Sequence, residues 1–512
     1  MNENTPLLGR FAQLKGPSSW YAIFPMLLVA FSGGALYAPH TQFYTEIFCN
    51  RYYNLQPDAD LDTIPVQNCS IPEVQKMVSR AQAAIMFLTY ASTLIGAGFY
   101  GRLSDRKGRA LVFRISTMGS FIYVFCDIMT AKFHHVIGLP LLFIGPLLKG
   151  IMAGENSLMA AVQAYIADCT ASSSRTIIFS RLMACLFVGS AIGPYVSSLI
   201  IKETGDIINI FYVALFVDFI NVIYTMFFLP ESNEYVIKLN RGEVLTKTEP
   251  KPTCIWSRLN IFSTLQILFK NPISHMSRHA LPCLALTEFL LTLVKRPPTM
   301  LYAMLKFKWT AYEGSIYFTY ASLVRLFIMI GVLPMLSKLF NTKCPKSTIT
   351  PEGQEKKYRN STLFDIWMVR VGIGMDAVCL ALAGLATNAY VFAAAGMLQS
   401  FSMLAQPSIR GLLTTLVKPT QVGELLGAIA ILDSIAMIIS HLGINTIYSA
   451  SVKTMPNLIF FICATIAACS SLSAFFVKKH KVSHDDELVC SHMTVAVEDC
   501  AITRERCCRP RH

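Results

Sequence analysis

Long apolar stretches alternate with short polar ones along almost the whole chain. Each apolar run is long enough to cross a bilayer as a helix, since a crossing takes about 20 residues. The runs fall at residues 20–38, 81–100, 110–131, 138–162, 178–201, 208–229, 277–298, 312–337, 364–386, 389–413, 423–448 and 456–477. The pattern therefore predicts an all-α integral membrane protein with about 12 transmembrane helices.

The longest polar stretch inside this pattern, residues 230–276, divides the predicted helices into two groups of six. We expect two pseudo-symmetric six-helix bundles, residues 20–229 and 277–478. The polar stretch between them is predicted to be a cytoplasmic linker loop, and residues 1–19 and 479–512 are predicted to be cytoplasmic tails.

Composition and charge support a membrane location. The chain is 53% hydrophobic and 15% charged, whereas soluble domains are about 25% charged. Its formal net charge of +13 comes from Lys and Arg in the gaps between apolar runs. Cationic gaps alternate with poorly charged ones, which predicts that both termini are cytoplasmic and that the cations face anionic lipid rather than nucleic acid.

The first outer gap holds two of the 15 cysteines, Cys49 and Cys69. It is the one place where a disulfide is chemically reasonable, because the outside is oxidising, and most other cysteines lie within apolar runs. Asn68-Cys69-Ser70 matches the N-glycosylation pattern, so Asn68 is a candidate glycosylation site. The sequence alone leaves both modifications open.

The gap between the second and third runs, residues 101–109, reads Gly-Arg-Leu-Ser-Asp-Arg-Lys-Gly-Arg. It resembles the signature between helices two and three of the major facilitator superfamily, and departs from it at Ala110, where a second basic residue is usual. Tyr165-Ile166-Ala167-Asp168 with Arg175 beyond resembles the end of helix four in that superfamily. Phe307-Lys308-Trp309, Arg325 and residues 365–370 resemble a fungal group related to the proton-coupled folate transporter family.

The resemblance implies two bundles that rock around a central site, and a cytoplasmic gate that opens and closes with them. In such a gate Asp105 meets the start of helix eleven near Gly423, and Arg109 pairs with an acid such as Asp168. The alternative is that the cations only set the topology. The gate candidates are Gly101, Asp105, Arg106, Gly108, Arg109, Asp168 and Arg175.

Charged and polar residues within the runs are the candidates for binding substrate or a proton, because such residues usually face a cavity. In the seventh run Glu288, Thr292 and Lys295 share one helical face just before Pro297 and Pro298, which are expected to break that helix. The full set of candidates is Lys149, Glu155, Asn156, Glu288, Thr292, Lys295, Arg325, Asp376, Gln399, Gln406 and Asp433. Arg325, Asp376 and Asp433 equally suit structural ion pairs, and Arg370 and Arg410 suit anchors at the membrane interface.

Together these features predict a secondary active transporter that moves a small organic solute by alternating access, coupled to protons, and acts as a monomer. The alternatives are a drug-type proton antiporter, because Gly189, Gly193 and Pro194 resemble an antiporter motif, and a non-transporting receptor or scaffold. No nucleophile–base set, metal-spaced cluster or phosphate loop is present in the sequence, so neither an enzyme nor a cofactor or metal site is predicted. Leu7-Leu8 after Glu3 resembles a lysosomal or vacuolar sorting signal, which leaves the plasma membrane and the lysosomal or vacuolar membrane as possible locations.

Overall fold

The computed structural model describes residues 17–54, 69–137, 139–170, 175–233, 236–237, 265–269, 279–336, 351–417 and 422–477. Within these ranges the regular structure is helical. The helices are α1 (Ser19–Asn54), α2 (Pro72–Lys107), α3 (Arg109–Ile137), α4 (Pro140–Ile151), α5 (Glu155–Cys169), α6 (Arg175–Thr204), α7 (Ile208–Phe227), α8 (Ala280–Val294), α9 (Thr299–Phe307), α10 (Ala311–Phe327), α11 (Pro351–Leu385), α12 (Ala389–Gln399), α13 (Ala405–Thr415), α14 (Val422–Ser451) and α15 (Leu458–Phe475).

Several sequence predictions fall on residues outside these ranges. They are the candidate glycosylation site Asn68, the Leu7-Leu8 pair and most of the linker 230–276. Arg175 begins α6, but its side chain lies outside the described part of the structure.

Eight of the described helices are long and apolar enough to cross a membrane, and α2, which bends by 48°, makes a ninth. They correspond to nine of the twelve predicted spans. The remaining three spans, the fourth, seventh and tenth, are each split into two shorter helices: α4 with α5, α8 with α9, and α12 with α13. The prediction of an all-α membrane protein is confirmed.

The break in the fourth span differs from the sequence prediction, which treated residues 138–162 as one helix. α4 ends at Ile151, and Ala153 takes a left-handed conformation with φ 58° before α5 begins. The flanking glycines lie against α2: a Cβ at Gly150 would be 2.5 Å from the carbonyl oxygen of Thr89. Close approach of two backbones therefore accompanies this break.

The break in the seventh span lies where the sequence predicted it. α8 ends at Val294 and α9 begins at Thr299, after Pro297 and Pro298. Prolines have no backbone N–H to donate, so the hydrogen-bond ladder is interrupted there. The tenth span contains a 3₁₀ segment, Ser400–Leu404, between its two helices.

We call helices α1–α7 the N half and helices α8–α15 the C half. In the N half α1 packs on α6 and α7, and α3 packs on α4 and α7. In the C half α11 packs on α13 and α15, and α8 packs on α14 and α15. The halves meet mainly through α2 with α14 and through α6 with α10.

The two ends of the bundle are chemically different. Cys49 and Cys69 form a disulfide that joins the end of α1 to the segment before α2; we call this end the disulfide end. The opposite end carries residues 101–109, which are the last turns of α2 up to Lys107, then Gly108 and the start of α3. We call these residues the basic loop and this end the basic-loop end.

Candidate functional site

The basic-loop end contains the ion pair that the family resemblance implied. Arg109 Nε lies 3.2 Å from Asp168 Oδ2, which ties the start of α3 to the end of α5. Arg109 Nη1 also donates to Asp105 Oδ1 at 2.5 Å. The Asp105 carboxylate is 66% exposed and bonds to Arg109 nearby in the sequence. Its expected contact with the start of α14, the eleventh predicted span, therefore stays a prediction. Gly101 and Arg106 are exposed.

A carboxylate that the sequence analysis missed holds this loop in place. Glu231, which follows α7, accepts hydrogen bonds from the backbone N–H groups of Arg109 at 2.8 Å and Ala110 at 3.1 Å. These are the first unpaired N–H groups of α3, where a negative charge is favoured. Gly108 has φ 113° and lies against the same carboxylate, so a Cβ there would be strained and would clash. Only the tertiary structure brings Glu231 to this loop, more than a hundred residues away in sequence.

In the C half, residues from three helices meet at the basic-loop side of the break in the seventh span. Thr292 Oγ1 donates to Asp433 Oδ1 at 3.2 Å, and Arg410 Nη2 lies 3.5 Å from Asp433 Oδ2. Glu288 is 2% exposed, and its Oε2 has no hydrogen-bond partner. These residues and Lys295, which interacts electrostatically with both acids, form the C-half cluster.

One contact of the C-half cluster was not foreseen. Arg410, which was interpreted as an interface anchor, also forms an ion pair with Asp433. Lys295, which the sequence analysis placed on one face with Glu288 and Thr292, is solvent-exposed. Arg370, by contrast, donates to the carbonyl oxygens of Ala474 and Val477 at the end of α15, as a terminal anchor would.

The break in the fourth span faces the C half. Asn156 Nδ2 lies 3.2 Å from Ser434 Oγ of α14. Glu155 is exposed at the start of α5 and interacts electrostatically with Arg296, which lies in the break of the seventh span. The two broken spans therefore bring opposite charges together across the boundary between the halves.

Lys149 occupies the last turn of α4, on the other side of the same break. Its Nζ lies 4.9 Å from the centre of the Tyr123 ring. It also interacts electrostatically with two buried acids, Asp127 and Asp218. Asp127 and its contact with His40 were not identified from the sequence, because nothing in the spacing of α1 relates it to α3.

Arg325, Asp376 and Gln399 form a separate group in the C half. Gln399 Nε2 donates to Asp376 Oδ1 at 2.8 Å, and Arg325 interacts electrostatically with Asp376 while its buried Nε lacks a partner. Gln406 is half-buried in α13, one turn before Arg410. The structure thus separates the predicted candidates into this group, the C-half cluster and the residues at the fourth-span break.

Near the disulfide end, direct contacts join the two halves. Ser79 Oγ donates to the carbonyl oxygen of Asn445 at 2.7 Å, and Lys308 Nζ donates to that of Ser70 at 3.2 Å. Deeper in, Arg296 Nη1 donates to the Tyr90 hydroxyl at 3.2 Å, and the Tyr90 ring stacks on His441. These contacts join the two halves at this end.

One ion pair between the halves lies outside the spans. Lys453 Nζ is 2.8 Å from Glu73 Oε1, joining the loop after α14 to the first turn of α2. The hydrogen bond from Lys453 holds the pKa of Glu73 below its ordinary value. The pair is half-exposed, so salt screens it.

Comparison with known proteins places the chain among membrane carriers. It is 23% identical to an MFS-type transporter of Aspergillus versicolor, over 88% of this chain and 86% of the relative. It is 23% identical to the proton-coupled folate transporter of Bos taurus, over 73% of this chain and 72% of the relative. The lysosomal proton-coupled steroid conjugate and bile acid symporter of Mus musculus is 25% identical over 79% of this chain and 81% of the relative.

The fold has counterparts among solved structures. A D-xylose-proton symporter superposes with a TM-score of 0.62, covering 92% of this chain and 99% of that protein, at 14% sequence identity. The sequence model described as Major Facilitator Superfamily matches residues 19–350. The paired halves, the basic loop and this match lead to one conclusion: the chain belongs to the Major Facilitator Superfamily.

Proposed function

We propose that this transporter moves a small organic anion together with protons, by alternating access between the two sides of the membrane. The observation that carries the proposal is the C-half cluster, in which two carboxylates and two cations meet beside a helix break. Charges this deep in a membrane protein are costly and mark ion or substrate pathways. The family membership supports transport of a small solute, and the printed activities of two relatives support coupling to protons.

Glu288 is the proton acceptor that we favour within the C-half cluster. Asp433 already has two partners, Thr292 and Arg410, whereas one oxygen of Glu288 is buried without any. A proton bound there removes a buried charge that has no hydrogen-bond donor. It also leaves Lys295 without one of its two acidic neighbours, so that its charge becomes available to an anionic solute.

The anionic solute class follows from the cations at the helix breaks. Lys295 and Arg296 lie at the break of the seventh span, and Lys149 lies at that of the fourth. The relatives named for folate and for bile acids and steroid conjugates carry solutes with acidic groups. A sulfated steroid, a bile acid and folate therefore form the first panel of test solutes.

In an alternating-access mechanism, contacts between the halves at one end indicate which side of the membrane the central site faces. The contacts that join the halves near the disulfide end support a state in which the central site opens toward the basic-loop end, which the charge pattern predicts to be cytoplasmic. In the opposite state Asp105 would leave Arg109 and meet the start of α14. The ion pair of Arg109 with Asp168 and the Glu231 contacts would keep the loop in shape throughout the cycle.

The glycine pattern that resembles antiporters has a packing explanation in this chain. A Cβ at Gly189 would lie 2.7 Å from the carbonyl oxygen of Leu27, and one at Gly193 would lie 2.2 Å from that of Phe31. These glycines let α6 and α1 approach closely, which a carrier needs whatever its direction of transport.

A non-transporting receptor of the same fold would tolerate loss of the buried charges. A measurement of solute flux therefore distinguishes a carrier from a receptor.

The test measures proton entry into liposomes that contain the purified protein and a trapped pH-sensitive dye, with each panel solute added outside. We expect a solute that causes acidification in the wild type and no acidification with Glu288→Gln. Glu203→Gln, an exposed acid at the end of α6, is the matched control and should behave as the wild type. Unchanged pH dependence of uptake in both Glu288→Gln and Glu155→Gln would reject proton coupling through these residues.

A further inference from the structure

A buried histidine–aspartate pair in the N half has no part in the function proposed above. His40 Nε2 of α1 lies 3.0 Å from Asp127 Oδ2 of α3. The Asp127 side chain is 1% exposed and that of His40 is 15% exposed. We propose that these two residues form a second proton-binding site, separate from the C-half cluster, and that its protonation frees the charge of Lys149 for an anionic solute. The role in coupling rests on the proposed function; the binding of a proton does not.

Aromatic side chains enclose the pair. The His40 ring stacks on Tyr44, with ring centres 5.7 Å apart and planes 12° apart, and it meets the edge of Phe211 at 5.0 Å. The Tyr44 hydroxyl lies 3.1 Å from the Tyr123 hydroxyl. Because rings occupy the space around the pair, its charge is balanced by a few neighbouring groups rather than by bulk water.

One oxygen of Asp127 marks where a proton would go. Oδ2 is bonded to His40, but the buried Oδ1 has no hydrogen-bond partner. A buried ionised oxygen without a donor costs more than a paired one. Without an added proton, neutral His40 and ionised Asp127 together carry one negative charge. One bound proton, on Asp127 Oδ1 or on the imidazole, makes the pair neutral.

Lys149 connects this change to the central path. The ionisable groups around the pair are Tyr44 on α1, Tyr123 and Cys126 on α3, and Lys149 on α4. α7 contributes Phe211 to the pair and Asp218 to Lys149. When the pair is negative, Lys149 has two acidic neighbours. When the pair is neutral, Asp218 alone remains, and the cation at the fourth-span break is free to bind an anion.

Each half then contains a cation at a helix break whose acidic neighbour is neutralised by a proton. In the N half these are Lys149 and Asp127, and in the C half they are Lys295 and Glu288. This arrangement predicts two proton-binding events on two different sets of helices.

Infrared difference spectroscopy of the full-length protein in lipid, titrated with acid, tests the site without any solute. The signals are the C=O stretch of a buried carboxylic acid and the ring bands of imidazolium. We expect Asp127→Asn to lose one such signal that Asp218→Asn and Glu288→Gln retain. His40→Gln should either remove it or change the pH at which it appears.

The isosteric Asp127→Asn change with an unchanged amide band would show that the helices are intact. A difference spectrum of that variant identical to the wild type over the whole pH range would overturn the proposal. If instead Glu288→Gln leaves proton-coupled flux intact while Asp127→Asn loses its signal, the proposed role of the C-half cluster fails and the N-half site stands.

Discussion

Gly193→Ala adds one methyl group at the contact between α1 and α6. The new Cβ would lie 2.2 Å from the Phe31 carbonyl oxygen and 2.8 Å from the Ala35 amide nitrogen, whereas ordinary contact begins at 3.4 Å. Both obstacles are backbone atoms, so no side chain can turn away, and the helices must separate by about 1 Å at this point. Overpacking of this kind costs about 1–3 kcal/mol.

For units of about 150–250 residues, the size of each half, each kcal/mol corresponds to about 2–4 °C in Tm, so we expect Gly193→Ala to lower Tm by about 2–12 °C. The assay is thermal unfolding of the purified protein in one detergent, followed by intrinsic fluorescence. Gly33→Ala is the matched control, because it lies on α1 with nothing within 4 Å of the added Cβ, and it should not lower Tm. Equal Tm values for the two variants would refute the packing explanation. That result would favour the alternative in which these glycines serve antiport.

Three further predictions concern the disulfide end. Replacing Cys49 and Cys69 by Ser removes a cross-link between residues 20 apart and should lower the free energy of unfolding by about 3 kcal/mol. A reducing agent should lower Tm in the wild type but not in this variant. An unchanged wild-type Tm under reducing conditions would contradict the prediction. Because Lys453 holds the pKa of Glu73 below its ordinary value, the stabilisation is present above that ordinary value and is lost as pH falls through the lowered pKa of the folded state. Glu73→Gln should therefore lower Tm at pH 7, and a difference from wild type that persists at about pH 3 would count against the ion pair. Tyr90→Phe keeps the ring beside His441 but loses the bond from Arg296, so hydrogen exchange at residues 72–79 should quicken by about tenfold, while Tyr212→Phe, an exposed control, should leave it unchanged.

The helical architecture was predictable because a bilayer imposes a simple length rule on apolar runs. The break in the seventh span was also predictable, since Pro297 and Pro298 lack the backbone N–H that a helix needs. The break in the fourth span was not predictable, because alanine does not by itself interrupt a helix. The left-handed conformation of Ala153 accompanies the packing of Gly150 and Gly154 against α2, which is seen only in the tertiary structure.

The same distinction applies to the candidate site. Charge and helical spacing on one span identified Glu288, Thr292 and Lys295 as a group, because residues three and four apart share a face. Spacing on one helix could not supply Arg410 as the partner of Asp433, nor bring Glu231 to the basic loop or His40 to Asp127. Those pairings join distant parts of the chain.

By itself, then, the amino-acid sequence determined the membrane-spanning class of the protein, its basic loop and the residues whose burial would need a reason. The tertiary structure alone decided which buried charge meets which partner, and which contacts join the halves near the disulfide end. The physical reason is that periodicity and length act within a helix, whereas the partner of a buried charge is selected by whichever helix packs against it.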